Sequence, residues 1–213
     1  MSRRPVLRVL AGVNGAGKSS IGGAALRRRG ATWFNPDELS TRLQREEDLG
    51  KDEADALAWQ EGKARLERAL SQGRSYAFET TLGATTFTRM LREACASHDV
   101  MIWYCGLASP ELHIARVKAR VAAGGHDIPE HKIRSRWNTS IANLIALAPH
   151  VHTVQVYDNS ASVEAGMPIP SPLRVALVEH GRLIVPGPMD AEALGRTPVW
   201  VRPLVASLFR AQA

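Results

Sequence analysis

Gly12-Val13-Asn14-Gly15-Ala16-Gly17-Lys18-Ser19 is the stretch that decides how this chain folds. It fits the pattern of Gly, any four residues, Gly, Lys, then Ser or Thr. An apolar run, Val6 to Ala11, precedes it, and an Ala- and Leu-containing stretch follows. The order is therefore strand, glycine loop, helix. Gly15 and Gly17 permit backbone angles closed to other residues, so several N–H groups can converge on one anion. The helix opening near Lys18 adds the positive end of its dipole. A phosphate chain is the ligand that uses all of this. Lys18 suits the β- and γ-phosphates and the Ser19 hydroxyl suits Mg²⁺, with Gly12, Asn14, Ala16 and Ser20 completing the expected nucleotide cradle.

Working outward, the apolar pattern alternates strand and helix, which predicts an α/β fold with a parallel sheet and helices on both faces. Strands are expected at Val6–Ala11, Thr32–Asn35, Ser75–Glu79, Val100–Gly106 and Val151–Tyr157. These five make a nucleotide-kinase-like sheet of the P-loop NTPase type. Helices are expected at about Lys18–Arg29, after Pro36, and over Asp52–Gln72, Thr85–Ser97, Ser109–Ala123 and Pro129–Ala148. Ser109-Pro110 reads as a cap followed by a first-turn proline. Beyond a Pro-, Ser- and Gly-containing linker, the tail reads as a β-hairpin around His180-Gly181-Arg182, outside the main sheet, and a final helix over Trp200–Arg210. The expected division is a core of residues 1–160, with an Arg-rich lid at about 112–140, and an appendage of 161–213.

The 213 residues suit one α/β domain. No apolar run approaches the ~20 residues of a membrane span. Arg3 and Arg4 precede an apolar stretch that runs straight into the glycine loop, which reads as a first strand rather than an export signal. The expected compartment is the cytoplasm. Cys95 and Cys105 lack metal spacing and read as buried free thiols. Net charge is +6, and of 27 basic residues only five are Lys. The arginines are scattered, apart from Arg27-Arg28-Arg29 at the end of the first helix. No basic stripe with interleaved aromatics is present, which argues against nucleic acid. Trp33, Trp59, Trp103 and Trp137 read as core or pocket walls, and Arg3, Arg4, His98 and His113 as surface.

Phosphoryl transfer needs a base for the acceptor hydroxyl and cations for the moving group. Asp37, in Phe34-Asn35-Pro36-Asp37-Glu38, follows a strand at the edge where open α/β sheets bind ligands. It could act as that base; an acidic residue opening a helix is the other reading. Glu79 ends the next strand at the same edge, followed by Thr80 and Thr81. These could contact substrate, with Glu79 reaching Mg²⁺ through water, or they could simply form a turn. Arg116 and Arg120 share a helix face. Arg134 and Arg136 are two residues apart and must point differently, so one faces the nucleotide. Between the pairs, Gly124-Gly125-His126-Asp127-Ile128-Pro129 has the composition of a hinged loop, and His126 could add a cation when protonated.

The ordered set resembles the zeta toxin family of P-loop kinases, in its small single-domain branch. It comprises the glycine loop, Phe34-Asn35-Pro36-Asp37-Glu38, Phe78-Glu79-Thr80-Thr81-Leu82, Pro110-Glu111-Leu112 leading through Arg116 and Arg120 to Gly124–Pro129, and Tyr157-Asp158-Asn159. The resemblance implies an ATP- and Mg²⁺-dependent phosphotransferase acting on a hydroxyl of UDP-N-acetylglucosamine. It implies Lys18 and Ser19 at nucleotide and metal, Asp37 as base, Glu79 as the substrate- or metal-side carboxylate and Arg120 as a phosphate-binding cation. A small helical antitoxin is the family's usual partner. One departure stands out: where better-known members carry a second arginine three residues before a proline, this chain has His126. Two other readings stay open. One is a kinase for another acceptor, such as an antibiotic or a polynucleotide 5′-hydroxyl. The other is a regulatory nucleotide-binding module, which would need neither Asp37 nor Glu79.

Overall fold

Val6–Ala11 forms β1, whose Leu7, Val9, Leu10 and Ala11 are 0 to 1% exposed. A strand apolar on both faces belongs in the interior of a parallel sheet. The computed structural model of the chain describes residues 3–19, 33–161, 170–187 and 189–212. Five further strands follow: β2 (Tyr76–Thr80), β3 (Asp99–Gly106), β4 (Thr153–Asp158), β5 (Leu173–Glu179) and β6 (Arg182–Val185). Their order in one sheet is β2-β1-β3-β4-β5-β6, parallel through β4 and antiparallel beyond it. The described helices are α1 (Pro36–Glu46), α2 (Lys51–Ser71), α3 (Thr85–Ala94), α4 (Pro110–Ala122), α5 (Glu130–Leu147), α6 (Ala191–Arg196) and α7 (Arg202–Gln212). None is long and apolar enough to cross a membrane. The expected first helix, with Ser20 and the Arg27–Arg29 run, lies outside the described residues.

One face of the sheet sets Leu7, Val9 and Ala11 against Leu91 of α3 and Leu144 of α5. On the other face Leu10 and Ala77 pack with Trp33 and Trp103. Local chemistry sets the helix starts. Asn35 caps α1 by accepting the Asp37 N–H at 3.0 Å, with Pro36 in the first turn. Ser109 caps α4 by accepting the Leu112 N–H at 3.3 Å.

Four expectations need correction. The strand expected at Thr32–Asn35 is, among the described residues, a single parallel bridge between Phe34 and Phe78. Pro36 has no N–H to extend it and opens a helix instead. The hairpin is not outside the main sheet. β5 pairs along the whole of β4, with Val175, Ala176 and Val178 buried, and so covers what would otherwise be an open sheet edge. Trp200 packs over the end of β3: its ring stands 2.4 Å from where a Cβ at Gly106 would lie. Two histidines expected at the surface, His98 and His113, are 2% and 0% exposed. Finally, α6 is an additional short helix, started by Asp190, which accepts the Ala193 N–H at 2.9 Å. Both cysteines are free thiols, Cys105 buried and Cys95 half-buried.

Candidate active site

The glycine loop leaves β1 pressed against the neighbouring strand. Gly12 has φ +136°, and a Cβ there would lie 2.0 Å from the Cys105 carbonyl oxygen. Gly15 and Gly17 also have positive φ, at +82° and +88°. The loop carbonyls are tied outward. Val13 O accepts the Ala16 N–H at 3.1 Å, and Asn14 O is bonded to His113 Nδ1 at 2.8 Å. Ala16 O accepts from both Cys105 Sγ and Asn159 Nδ2, each at 3.0 Å. Because N–H and C=O of one peptide plane point in opposite directions, anchoring the Asn14 and Ala16 carbonyls aims the Gly15 and Gly17 amides the other way. Two amides aimed this way could meet an anion together.

Two of these ties depend on protonation. Burial, with Lys18 and Arg116 nearby, pushes His113 down to about 4, while the Asn14 carbonyl works in the opposite direction. The ring is therefore neutral near pH 7. A carbonyl only accepts, so Nδ1 carries the proton, and buried Nε2 has no partner among the described residues. Burial pushes the Cys105 thiol up to about 12, which keeps its S–H available to Ala16.

At the end of β2, Glu79 is 5% exposed. Its Oε2 accepts from Ser19 Oγ at 3.1 Å and its Oε1 from Trp33 Nε1 at 3.0 Å. A hydroxyl and a carboxylate in contact are hard oxygen donors, the set Mg²⁺ prefers. Among the described residues no cluster of three or more His, Cys, Asp or Glu could hold a metal ion. The fit is thus to an ion shared with a phosphate chain rather than to a cage built wholly of protein.

Lys18, Asp37, Glu79, Thr80, Thr81 and Arg136 line one cleft of about 530 Å³, whose far wall is aromatic, with Phe34, Trp59 and Phe87. Trp59 is 40% exposed and meets Phe87 edge-on. A second, more open depression of about 390 Å³ is lined by Ser19, Asp37, Arg120 and His126, with Arg42 and Arg45 on α1. Exposed Asp37 lines both. The turn after Glu79 is itself constrained: Thr80 Oγ1 accepts the Leu82 N–H at 3.0 Å, and Leu82 has φ +53°.

The basic candidates separate. Arg116 Nη2 donates to the Asn159 and Ala161 carbonyls at 2.6 and 3.2 Å, beyond the loop. Arg120 Nη2 donates to the His126 carbonyl at 2.5 Å, and Gly125 wraps so closely that a Cβ would lie 2.6 Å from Arg120 Cγ. Arg134 turns outward to Glu111 at 2.6 Å, an exposed ion pair. Arg136 alone of these four lines the larger cleft, where Nη1 donates to Asn14 Oδ1 at 2.8 Å. The ties of His113 and Asn159 to the loop are what the sequence does not mark: His113 reads as surface, and Asn159 only as part of a motif. Their partners are 99 and 143 residues away, so no local spacing reports them.

Residues 7–144 match the family described as AAA domain. No curated protein matches the chain. Among solved structures, a chain of the AvrRxo1-ORF1:-ORF2 complex with ATP is 19% identical, with a TM-score of 0.61 over 92% of this chain and 64% of that one. A chain of the PezAT chromosomal toxin–antitoxin system of Streptococcus pneumoniae is 18% identical, with a TM-score of 0.56 over 74% and 68%. A putative kinase from Chloroflexus aurantiacus is 17% identical, with a TM-score of 0.52 over 63% and 80%. At these identities the likeness establishes a shared fold, the α/β P-loop NTPase-like fold. This chain spans under two thirds of the AvrRxo1 chain it matches.

Proposed function

The chain belongs to the AAA domain family, and from that premise we propose that it is an ATP-dependent phosphotransferase acting on a hydroxyl of a small molecule. The observation that carries the reading is Asp37, which lines both the cleft holding Lys18 and Glu79 and the depression holding Ser19. The loop amides and Lys18 bind the β- and γ-phosphates. Asp37 accepts the proton of the attacking hydroxyl, a role of ~10²–10⁴ in rate. The new bond joins the acceptor oxygen to the γ-phosphorus, the bond to the β–γ bridging oxygen breaks, and ADP leaves. Glu79, with Thr80 and Thr81, orients the acceptor. Ser19 and Glu79 would hold Mg²⁺, which supplies charge neutralisation on the phosphates when bound.

The acceptor we favour is a UDP-sugar of the UDP-N-acetylglucosamine type. The ordered motifs shared with zeta toxins support this, as does a cleft with room and an aromatic wall for a nucleotide-sized acceptor. A small helical antitoxin is the proposed partner, since one structural relative is a toxin–antitoxin system. The test incubates the full chain with γ-labelled ATP, Mg²⁺ and UDP-N-acetylglucosamine. The expected product is a labelled UDP-sugar. Label appearing only in other acceptors would leave the transferase reading and remove the UDP-sugar.

A further inference from the structure

We propose that Arg136 is the cation that meets the transferring phosphoryl, in place of the arginine absent at His126; this rests on the transferase reading above. The side chain spans the two halves of the site. Its stem lies against Gly83, where a Cβ would be 3.0 Å from Arg136 Cγ, on the turn that leads from the acceptor wall. Its guanidinium reaches the loop, with Nη1 on the Asn14 carboxamide oxygen. Few side chains other than arginine combine that reach with several parallel donors.

Charge separates Arg136 from its neighbours. Arg134 is neutralised by Glu111, whereas the hydrogen-bond partner of Arg136 is a neutral amide. Among the described residues no carboxylate pairs with it, so its full charge remains for an incoming phosphate. An arginine placed on the transferring group can supply ~10³–10⁵ in rate. Arg136 exchanges no proton; it takes up the charge that develops on the equatorial oxygens while Asp37 takes the proton.

The helix that carries Arg136 is fixed to the acceptor side. Ser140 Oγ donates to the Thr81 carbonyl at 2.6 Å, and Asn143 Nδ2 donates to the Leu82 carbonyl at 2.8 Å. Since the one Ser140 proton goes to a carbonyl, the Tyr104 hydroxyl donates to Ser140 Oγ at 2.9 Å. Burial raises Tyr104 far above its usual value and keeps that proton in place. Thus α5 holds the acceptor turn at its C-terminal half and delivers one guanidinium to the donor loop nearer its start. Positioning of this kind leaves the catalytic cation preorganised.

The test compares Arg136→Gln and Arg136→Lys in the full chain. Glutamine removes the charge and, being shorter, the reach to Asn14; lysine keeps the charge but loses the fork. We expect Arg136→Gln to lower kcat by ~10³ and to abolish the preference for AMP-PNP over ADP in calorimetry, with ADP affinity unchanged. Arg136→Lys should recover part of both. Normal kcat and normal AMP-PNP preference in Arg136→Gln would overturn the proposal, because neither the charge nor the reach of Arg136 would then be needed. A larger loss in Arg134→Ala would also overturn it. If the wild type transfers to no acceptor while Arg136→Gln still loses the AMP-PNP preference, the γ-phosphate assignment stands and the transferase reading fails.

Discussion

The two sides of the proposed transfer site, the glycine loop on the donor side and the cleft on the acceptor side, are built in opposite ways. The glycine loop is short, and its carbonyls at Val13, Asn14 and Ala16 are all committed, three of the four bonds coming from residues more than 85 positions away. The acceptor side is an open cleft with an exposed carboxylate, Asp37, and a half-exposed indole, Trp59. A phosphate chain is the same in every nucleotide, so the loop can be rigid. An acceptor has to be admitted, turned and released, and its wall is correspondingly less committed. Damage to the donor side should therefore show in stability as well as binding, and damage to the acceptor side in turnover and acceptor KM alone.

Asp37→Asn is the sharpest way to break that contrast. It should reduce kcat by ~10²–10⁴ while AMP-PNP affinity and melting temperature stay at wild-type values. A fall in melting temperature comparable to that of a loop variant would make Asp37 a helix-start residue first. Gly12→Ala should do the reverse. Its Cβ would meet the Cys105 carbonyl at 2.0 Å, at a φ that side chains avoid. We expect about 4 kcal/mol lost in urea unfolding, from overpacking and backbone strain together.

The next effect is a pH dependence. His113 is held neutral, with its folded value about 4 against an ordinary 6.5. Between those values the unfolded chain binds a proton that the folded chain refuses, so stability falls as pH drops from 6.5 towards 4. The full span is about 3 kcal/mol. His113→Gln should flatten that part of the stability profile; an unchanged slope would mean that other groups produce it. The smallest effect is expected at Trp59→Ala, which should raise acceptor KM by about 1 kcal/mol, roughly fivefold, without moving ATP affinity. A loss of ATP affinity instead would place the indole on the donor side.

What could be read in the sequence follows the same division. The loop, the helix start after Pro36 and the strand-ending Glu79 are local: each is a few adjacent residues whose geometry is set by glycine torsions, a proline ring or a strand end. The His113 and Asn159 ties and the α5 latch through Ser140 and Asn143 are not local, and no periodicity marks a polar side chain bound to a carbonyl dozens of residues away. His113 looks like a surface histidine because burial is decided by what α4 packs against. The placement of β5 beside β4 escaped for a related reason. The hairpin pattern is legible, but the choice between a free hairpin and an edge strand depends on whether β4 would otherwise end the sheet. Arg134 and Arg136 are an intermediate case. Their spacing requires them to diverge, but only the position of Glu111 tells which one turns outward.

The central claim is that the two sides form one transfer site rather than a nucleotide-binding module. The most direct test mixes the full chain with ATP and a metabolite extract and follows the products by mass spectrometry. The account predicts that ADP accumulates as one hydroxyl-bearing metabolite gains a single phosphoryl group, and that Asp37→Asn suppresses both together. ATP binding with no metabolite gaining a phosphoryl group would contradict it.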